Sequence, residues 1–178
     1  MHNFNRLCFF CDKIPNVKKI YFAGGCFWGV EKFFSLAKGV VSTKVGYANG
    51  KLDYPSYEDL KSGRDIAAET VEIQYDESVL SLEKLLEYLL RIINPYSINK
   101  QGEDEGIQYR TGVYFINEND EIIIKNYFKN HLNPDYKVEI LPLKKFFLAE
   151  EYHQDYLNKN PQGYCHVNMA KLNPEERK

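Results

Sequence analysis

Residues 20–39 read Ile20-Tyr21-Phe22-Ala23-Gly24-Gly25-Cys26-Phe27-Trp28-Gly29-Val30-Glu31-Lys32-Phe33-Phe34-Ser35-Leu36-Ala37-Lys38-Gly39, and a change of rhythm inside them decides the fold. The apolar run Ile20 to Ala23, stopped by Gly24-Gly25, predicts a buried strand that ends in a tight turn. Val30, Phe33, Phe34 and Ala37 then follow the i, i+3, i+4, i+7 spacing of one helix face, closed by Gly39. Cys26 falls at the junction. A thiol at a helix N-terminus meets free N–H groups and the positive end of the dipole, which favour the thiolate and pull its pKa below about 8.5. The competing reading is a buried cysteine packing as a small hydrophobe. It fits less well beside a Gly-Gly turn flanked by Phe27 and the only tryptophan, Trp28.

Outward from this unit, Val40 to Tyr47 reads as a second strand. Residues 48–63, rich in Asn, Gly, Asp, Pro and Ser, read as a long loop with room for one helical turn. Ile66 to Tyr75 is the clearest strand, because Glu69, Val71, Ile73 and Tyr75 alternate with Thr70, Glu72 and Gln74. The apolar face therefore carries a carboxylate, and desolvation raises the pKa of such a group. Pattern alone leaves open a Glu69 turned to solvent or paired with Arg64. Leu82, Leu85, Leu86, Leu89 and Ile93 mark an amphipathic helix, with Ser81 as N-cap and Asn94-Pro95 as its stop. After a loop to Gly106, Tyr109 to Ile116 predicts a strand, Ile124, Tyr127, Phe128 and His131 a helix, and Lys137 to Leu141 a last short strand. This order makes an α/β (α+β) fold with helices covering one central sheet. Residues 1–17 read as an N-terminal tail and 18–178 as a single domain, with a short helix around Glu150 to Leu157 and a mobile tail from residue 158.

A chain of 178 residues, 44% hydrophobic and 27% charged, is long enough for one substantial core and short for two typical domains. A net charge of -2 provides no concentrated basic face for nucleic acid or an anionic membrane. The longest early apolar run, Leu7 to Cys11, is far shorter than the roughly 20 residues of a membrane span. Cys8, Cys11, Cys26 and Cys165 have spacings unlike a disulfide scaffold, so a reducing, cytoplasmic setting is expected. No cofactor motif is visible. Cys8-Phe9-Phe10-Cys11 lacks the second ligand pair of a zinc site, which leaves incidental thiols or an auxiliary electron relay. A monomer acting on proteins or small molecules is expected.

Gly24-Gly25-Cys26-Phe27-Trp28-Gly29 resembles the active-site signature of the A-type peptide methionine sulfoxide reductases. Four further segments resemble family segments in the same order: Gly46-Tyr47-Ala48-Asn49-Gly50, Tyr54-Pro55-Ser56-Tyr57, Asp104-Glu105-Gly106-Ile107-Gln108-Tyr109-Arg110 and Gly163-Tyr164-Cys165-His166. The resemblance runs from residue 18 to 168. It implies a split β-α-β, ferredoxin-like core with helices over a mixed sheet and long active-site loops. It also implies reduction of the S epimer of free and peptide-bound methionine sulfoxide, and so repair of oxidised proteins. Cys26 would be the nucleophile and Glu69 the acid that protonates the sulfoxide oxygen. Tyr57 and Tyr109 would donate phenol hydrogen bonds to that oxygen, with Asp104 as the acidic partner in the same pocket. Phe27 and Trp28 would seat the ε-methyl group. Attack leaves a sulfenic acid on Cys26. Cys165 would then form a Cys26–Cys165 disulfide, helped by His166 and reduced by thioredoxin or a similar dithiol protein. Ala67, Glu103 and Ile107 stand where many relatives have His, Asn and Thr, which bears on the tuning of Glu69 and Asp104.

Two other classes remain at this point. A cysteine hydrolase or acyltransferase would need a base from His131, His153 or His166 and an orienting carboxylate. A non-catalytic module would use Phe27 and Trp28 as a clamp for methionine-rich peptides. His153 itself reads as a hydrogen-bonded structural histidine.

Overall fold

The computed structural model describes residues 16–178, so residues 1–15 of the expected N-terminal tail, with the Cys8/Cys11 pair, lie outside the described residues. The chain enters on β1 (Val17–Gly24), turns at Gly25 and Cys26, and continues into α1 (Phe27–Ser35). Gly25 has φ +86°, and a Cβ there would lie 2.6 Å from the Cβ of Gln101, so both backbone and space demand glycine. β2 (Val40–Ala48), α2 (Tyr57–Lys61), β3 (Ala68–Asp76) and α3 (Leu82–Ile92) follow. Two two-residue strands, β4 (Lys100–Gln101) and β5 (Asp104–Glu105), form a hairpin inside the expected loop. Then come β6 (Thr111–Phe115), α4 (Glu118–His131), β7 (Glu139–Pro142), β8 (Phe146–Leu148) and α5 (Tyr156–Lys159).

The main sheet has the order β7-β6-β1-β3-β2-β8. β6 and β7 are parallel, and every other neighbouring pair is antiparallel. β3 is inserted between β1 and β2, the two strands that α1 connects, and α3 leads from β3 to β6 beyond β1. This is the split β-α-β arrangement of a ferredoxin-like core, extended by one strand at each edge. The register places Ile20 opposite Ile73 and Phe22 opposite Val71, so strand alternation aligns apolar rows on one face. Those rows join Val30, Phe33 and Phe34 of α1, Leu85 and Leu89 of α3 and Phe128 of α4 in one buried cluster. The other face carries a smaller cluster of Tyr21, Ala23, Ala48, Ala68 and Tyr114, covered by Leu143 and Phe146.

Three features differ from expectation. The helix expected over 150–157 is a 3-10 turn (Glu151–His153) and the short α5, separated by Asp155 in the left-handed region at φ 52°. β8 is a three-residue strand whose short aromatic run gave no period to read. The expected mobile tail packs against the body in this structure. Val167 and Leu172 are buried, the Lys38 N–H donates to the Glu176 carbonyl at 2.8 Å, and the Lys178 N–H donates to the Leu36 carbonyl at 3.0 Å. Glu176 also accepts from Arg91 at 2.6 and 2.9 Å. Hydrogen bonds and ion pairs anchor this segment, and they require the polar composition that reads as a tail.

Leu172→Ala is expected to lower the free energy of unfolding by about 2–4 kcal/mol, because it opens a cavity at a fully buried side chain. Urea denaturation measures this, and a loss below about 0.5 kcal/mol, the level of an ordinary surface substitution, would show that the segment is not docked.

Candidate active site

Cys26 is the N-cap residue of α1 and is 7% exposed. Its side chain makes no capping hydrogen bond. The expected depression of its pKa is overturned. Burial first, and then the Glu69 carboxylate, push the thiol well above its ordinary range, while the nearby Trp28 backbone N–H pulls the other way.

Glu69 lies near the start of β3, 2% exposed, on the face that continues into Val71, Ile73 and Tyr75. Its Oε2 accepts from the Phe27 N–H at 3.1 Å, which ties β3 to the first turn of α1. Burial pushes its pKa up to about 8 against that hydrogen bond. Arg64, the alternative partner, pairs with Asp59 at 2.6 Å. A thiol and a carboxyl thus adjoin, and near neutral pH both hold their protons.

Tyr57 opens α2, where Ser56 and Asp59 form a capping box and the Tyr57 N–H donates to Glu150 Oε1 at 2.8 Å. Glu150 Oε2 also accepts from the Tyr47 hydroxyl at 2.6 Å. Tyr109 ends a 3-10 turn (Ile107–Tyr109). The following Arg110 fixes it by donating to the Ile66 carbonyl at 2.8 Å and pairing with Glu139 at 3.1 Å. The Tyr57 and Tyr109 phenols adjoin each other within electrostatic reach of Glu69, and burial raises both pKas, so both remain donors.

Asp104 is carried by the β4–β5 hairpin, and the Gln101 side chain clamps that hairpin to both backbone groups of Asn94 at 2.8 and 2.9 Å. Asp104 Oδ2 is 3.9 Å from His166 Nδ1, and both atoms are buried without a hydrogen-bond partner. His166 Nε2 donates to the Gly24 carbonyl at 3.1 Å, and burial holds the imidazole below its usual pKa. His166 therefore engages the catalytic turn, whereas the Cys165 thiol donates to the Val167 carbonyl at 3.2 Å. Gly29 makes room for this segment, since a Cβ there would lie 3.1 Å from Cys165 Sγ. Cys165 is exposed beside the first turn of α1, close enough to Cys26 for their charges to interact.

Phe27 is 1% exposed and packs near Tyr47 and His153, so its ring belongs to the core. Trp28 is half-buried, stacked on Tyr156 at 3.8 Å, and its Nε1–H donates to His153 Nδ1 at 3.1 Å. Burial keeps His153 neutral, which suits a structural acceptor. Gln101, Arg110, Glu150 and Tyr156 escaped the sequence reading. They act through contacts between segments distant in the chain, and no spacing encodes such contacts.

A free thiol beside a protonated carboxyl and two phenol donors suits a thiol oxidoreductase better than a cysteine hydrolase. His131 stacks on Tyr127 at the exposed end of α4, His153 Nδ1 is taken by Trp28, and His166 Nε2 by Gly24, so none of them stands as a base to Cys26. Among the described residues no cluster of His, Cys, Asp or Glu is arranged to hold a metal ion.

Comparison with known proteins names the particular chemistry. The family model described as peptide methionine sulfoxide reductase matches residues 18–178. The peptide methionine sulfoxide reductase MsrA of Lachnoclostridium phytofermentans is 56% identical over 157 residues, which cover 86% of this chain and 94% of that one. The reduced form of Mxr1 from Saccharomyces cerevisiae superposes with a TM-score of 0.79 at 36% identity, over 88% of this chain and 93% of that one. Mxr1 in complex with Trx2 matches with a TM-score of 0.54 at 27% identity, over 82% and 87% of the two chains. The chain belongs to the peptide methionine sulfoxide reductase family. Its activity is the thiol-dependent reduction of methionine sulfoxide.

The raised pKa of Glu69 has a consequence for stability. Between about 4.5, its ordinary value, and about 8 the unfolded chain releases a proton that the folded protein retains, so this group makes stability fall as pH rises across that window. Glu69→Gln is expected to remove that slope and to raise the midpoint of urea denaturation at pH 7 relative to wild type. An unchanged slope would mean that the carboxyl ionises freely in the fold.

Proposed function

We propose that this protein reduces the S epimer of methionine sulfoxide, free and within polypeptides, through a Cys26 sulfenic acid and a Cys26–Cys165 disulfide that thioredoxin reduces. The observation that carries the reading is the Glu69 carboxyl, buried against the first turn of α1 beside Cys26 with a pKa of about 8.

A sulfoxide oxygen entering this site meets Glu69 and the Tyr57 and Tyr109 hydroxyls. Glu69 gives its proton to that oxygen, and the Cys26 thiol passes its own proton to the emptied carboxylate. Cys26 is then a thiolate beside a protonated sulfoxide, so it becomes nucleophilic only when substrate has drawn the first proton. The raised thiol pKa suppresses idle reactivity and does not oppose this sequence. Sulfur attack and transfer of the oxygen give a sulfenic acid on Cys26 and release the thioether; the transferred oxygen keeps the proton that Glu69 gave, and the thiol's proton has restored Glu69. The phenol donors stabilise the oxygen as it gains charge. Trp28, held flat by Tyr156 and His153, offers its exposed part to the methyl group.

The Cys165 thiol attacks the sulfenic sulfur, forms the Cys26–Cys165 disulfide and releases water. A dithiol protein then returns both thiols by exchange, and the relative structure solved with Trx2 supports a thioredoxin in that role. The protein is read as a cytoplasmic monomer engaged in repair of oxidised proteins. Among the described residues no helix is long and apolar enough to cross a membrane.

A thioredoxin-coupled assay on separated S and R epimers tests the reading, and turnover of the S epimer alone is expected. Glu69→Gln is expected to slow the first turnover by about 10²- to 10⁴-fold, and Cys165→Ser to permit one turnover and block recycling. The wild-type single-turnover rate is expected to fall as pH rises through about 8, because Glu69 loses the proton it must donate. A rate that keeps climbing well past that value would remove Glu69 from the acid's role.

A further inference from the structure

β8 is the last strand at its edge of the sheet among the described residues, and one side of its backbone is open. Its pairing with β2 sets Gly46 opposite Leu148, Tyr47 opposite Phe147 and Ala48 opposite Phe146. The flanking bonds, Ala149 N–H to the Val45 carbonyl and Asn49 N–H to the Lys145 carbonyl, fix the alternation. In an antiparallel ladder only every second residue turns its N–H and C=O toward the partner strand. Phe147 therefore faces β2, while the N–H and C=O of Phe146 and Leu148 point away from it, toward the open edge. Leu148 is 56% exposed.

Along this edge runs a groove of about 640 Å³ lined by β8, the Tyr54-Pro55-Ser56 turn and Glu150. Tyr54 stands out in it. Its backbone is left-handed at φ 52°, its side chain is 85% exposed, and its ring lies 4.6 Å from that of Phe147. A strained, exposed tyrosine that roofs an aromatic strand is not explained by core packing. Glu150 is the only ionisable group besides Tyr54 in the lining, so the groove is largely neutral and aromatic. Two of its lining residues, Ser56 and Glu150, also hold the segment that carries Tyr57. Ser56 caps the helix that Tyr57 opens, and Glu150 holds both the Tyr57 N–H and the Tyr47 hydroxyl.

We infer that the open edge of β8 and the groove beneath Tyr54 bind the residues flanking the oxidised methionine, in an extended conformation, as an added strand with apolar or aromatic side chains against Tyr54 and Phe147. Strand addition suits this edge because main-chain hydrogen bonds are independent of sequence while alternate side chains fill a pocket. The occupant is a stretch of unfolded or locally opened polypeptide, because a folded segment has no free backbone to offer. Free methionine sulfoxide has no flank and makes none of these contacts. The inference rests on the proposed reduction of methionine sulfoxide at Cys26.

The test compares kcat/KM for free methionine sulfoxide with that for a seven-residue peptide carrying the sulfoxide at its centre between apolar residues. Leu148→Pro removes one outward N–H, at an edge position where proline is tolerated, and Leu148→Ala controls for the side chain. Tyr54→Asn removes the ring while tolerating the left-handed backbone. Leu148→Pro and Tyr54→Asn are each expected to lower kcat/KM for the peptide by about five- to tenfold, mainly through KM, and to leave the free amino acid within about twofold. N-methylation of alternate flanking residues in the peptide is expected to cost wild type a similar factor. Equal effects on both substrates, or none on either while both are still reduced, would overturn the strand-addition site. Loss of activity toward free methionine sulfoxide in the wild type would instead overturn the underlying reaction.

Discussion

A carboxyl group removed from water with no cation beside it exists most cheaply by keeping its proton. Glu69 is in that position: one backbone N–H is its hydrogen-bond donor, and apolar neighbours continue along its strand face. The reaction centre is arranged around this constraint. The split β-α-β topology brings the start of β3 beneath the turn between β1 and α1, so the carboxyl, the thiol and the helix N-terminus converge from distant parts of the chain. Burial raises both pKas, and the shared effect couples the two groups. Near neutral pH the pair therefore holds its protons.

The elements legible in the sequence were those whose burial follows a local period. The alternation of Glu69, Val71, Ile73 and Tyr75 and the stripe of Val30, Phe33, Phe34 and Ala37 gave the central strands and the first helix, because one face of each meets a continuous core. The anomalous carboxylate on a strand face was visible for the same reason. The state of the Cys26 thiol was not. The helix terminus is a local feature that the sequence displays, whereas the desolvation and the neighbouring carboxylate that outweigh it are products of the tertiary fold.

The residues that hold the site in place were hidden for a related reason. Gln101 clamps the Asp104 hairpin to the end of α3, Glu150 joins α2 to β2, and Arg110 bridges to Ile66 and Glu139. Each is a side chain that satisfies a backbone group or a distant partner, and such contacts leave no repeat along the chain. The segment after residue 158 illustrates the same limit. Apart from Val167 and Leu172 its ordered contacts are largely polar, so composition alone suggested a free end.

The docking of that last segment also governs a contest between oxidants. Tyr156 stacks on Trp28 upstream of Cys165, and Leu172 and Glu176 are anchored downstream, so the second thiol sits on a strap pinned at both ends. A tethered thiol has a high local concentration that does not depend on how much thiol the surrounding solution contains. A sulfenic acid left waiting is open to further oxidation by peroxide, a one-way loss for most cysteines. In the proposed cycle, a strap held at both ends favours ring closure with Cys165 over further oxidation of Cys26.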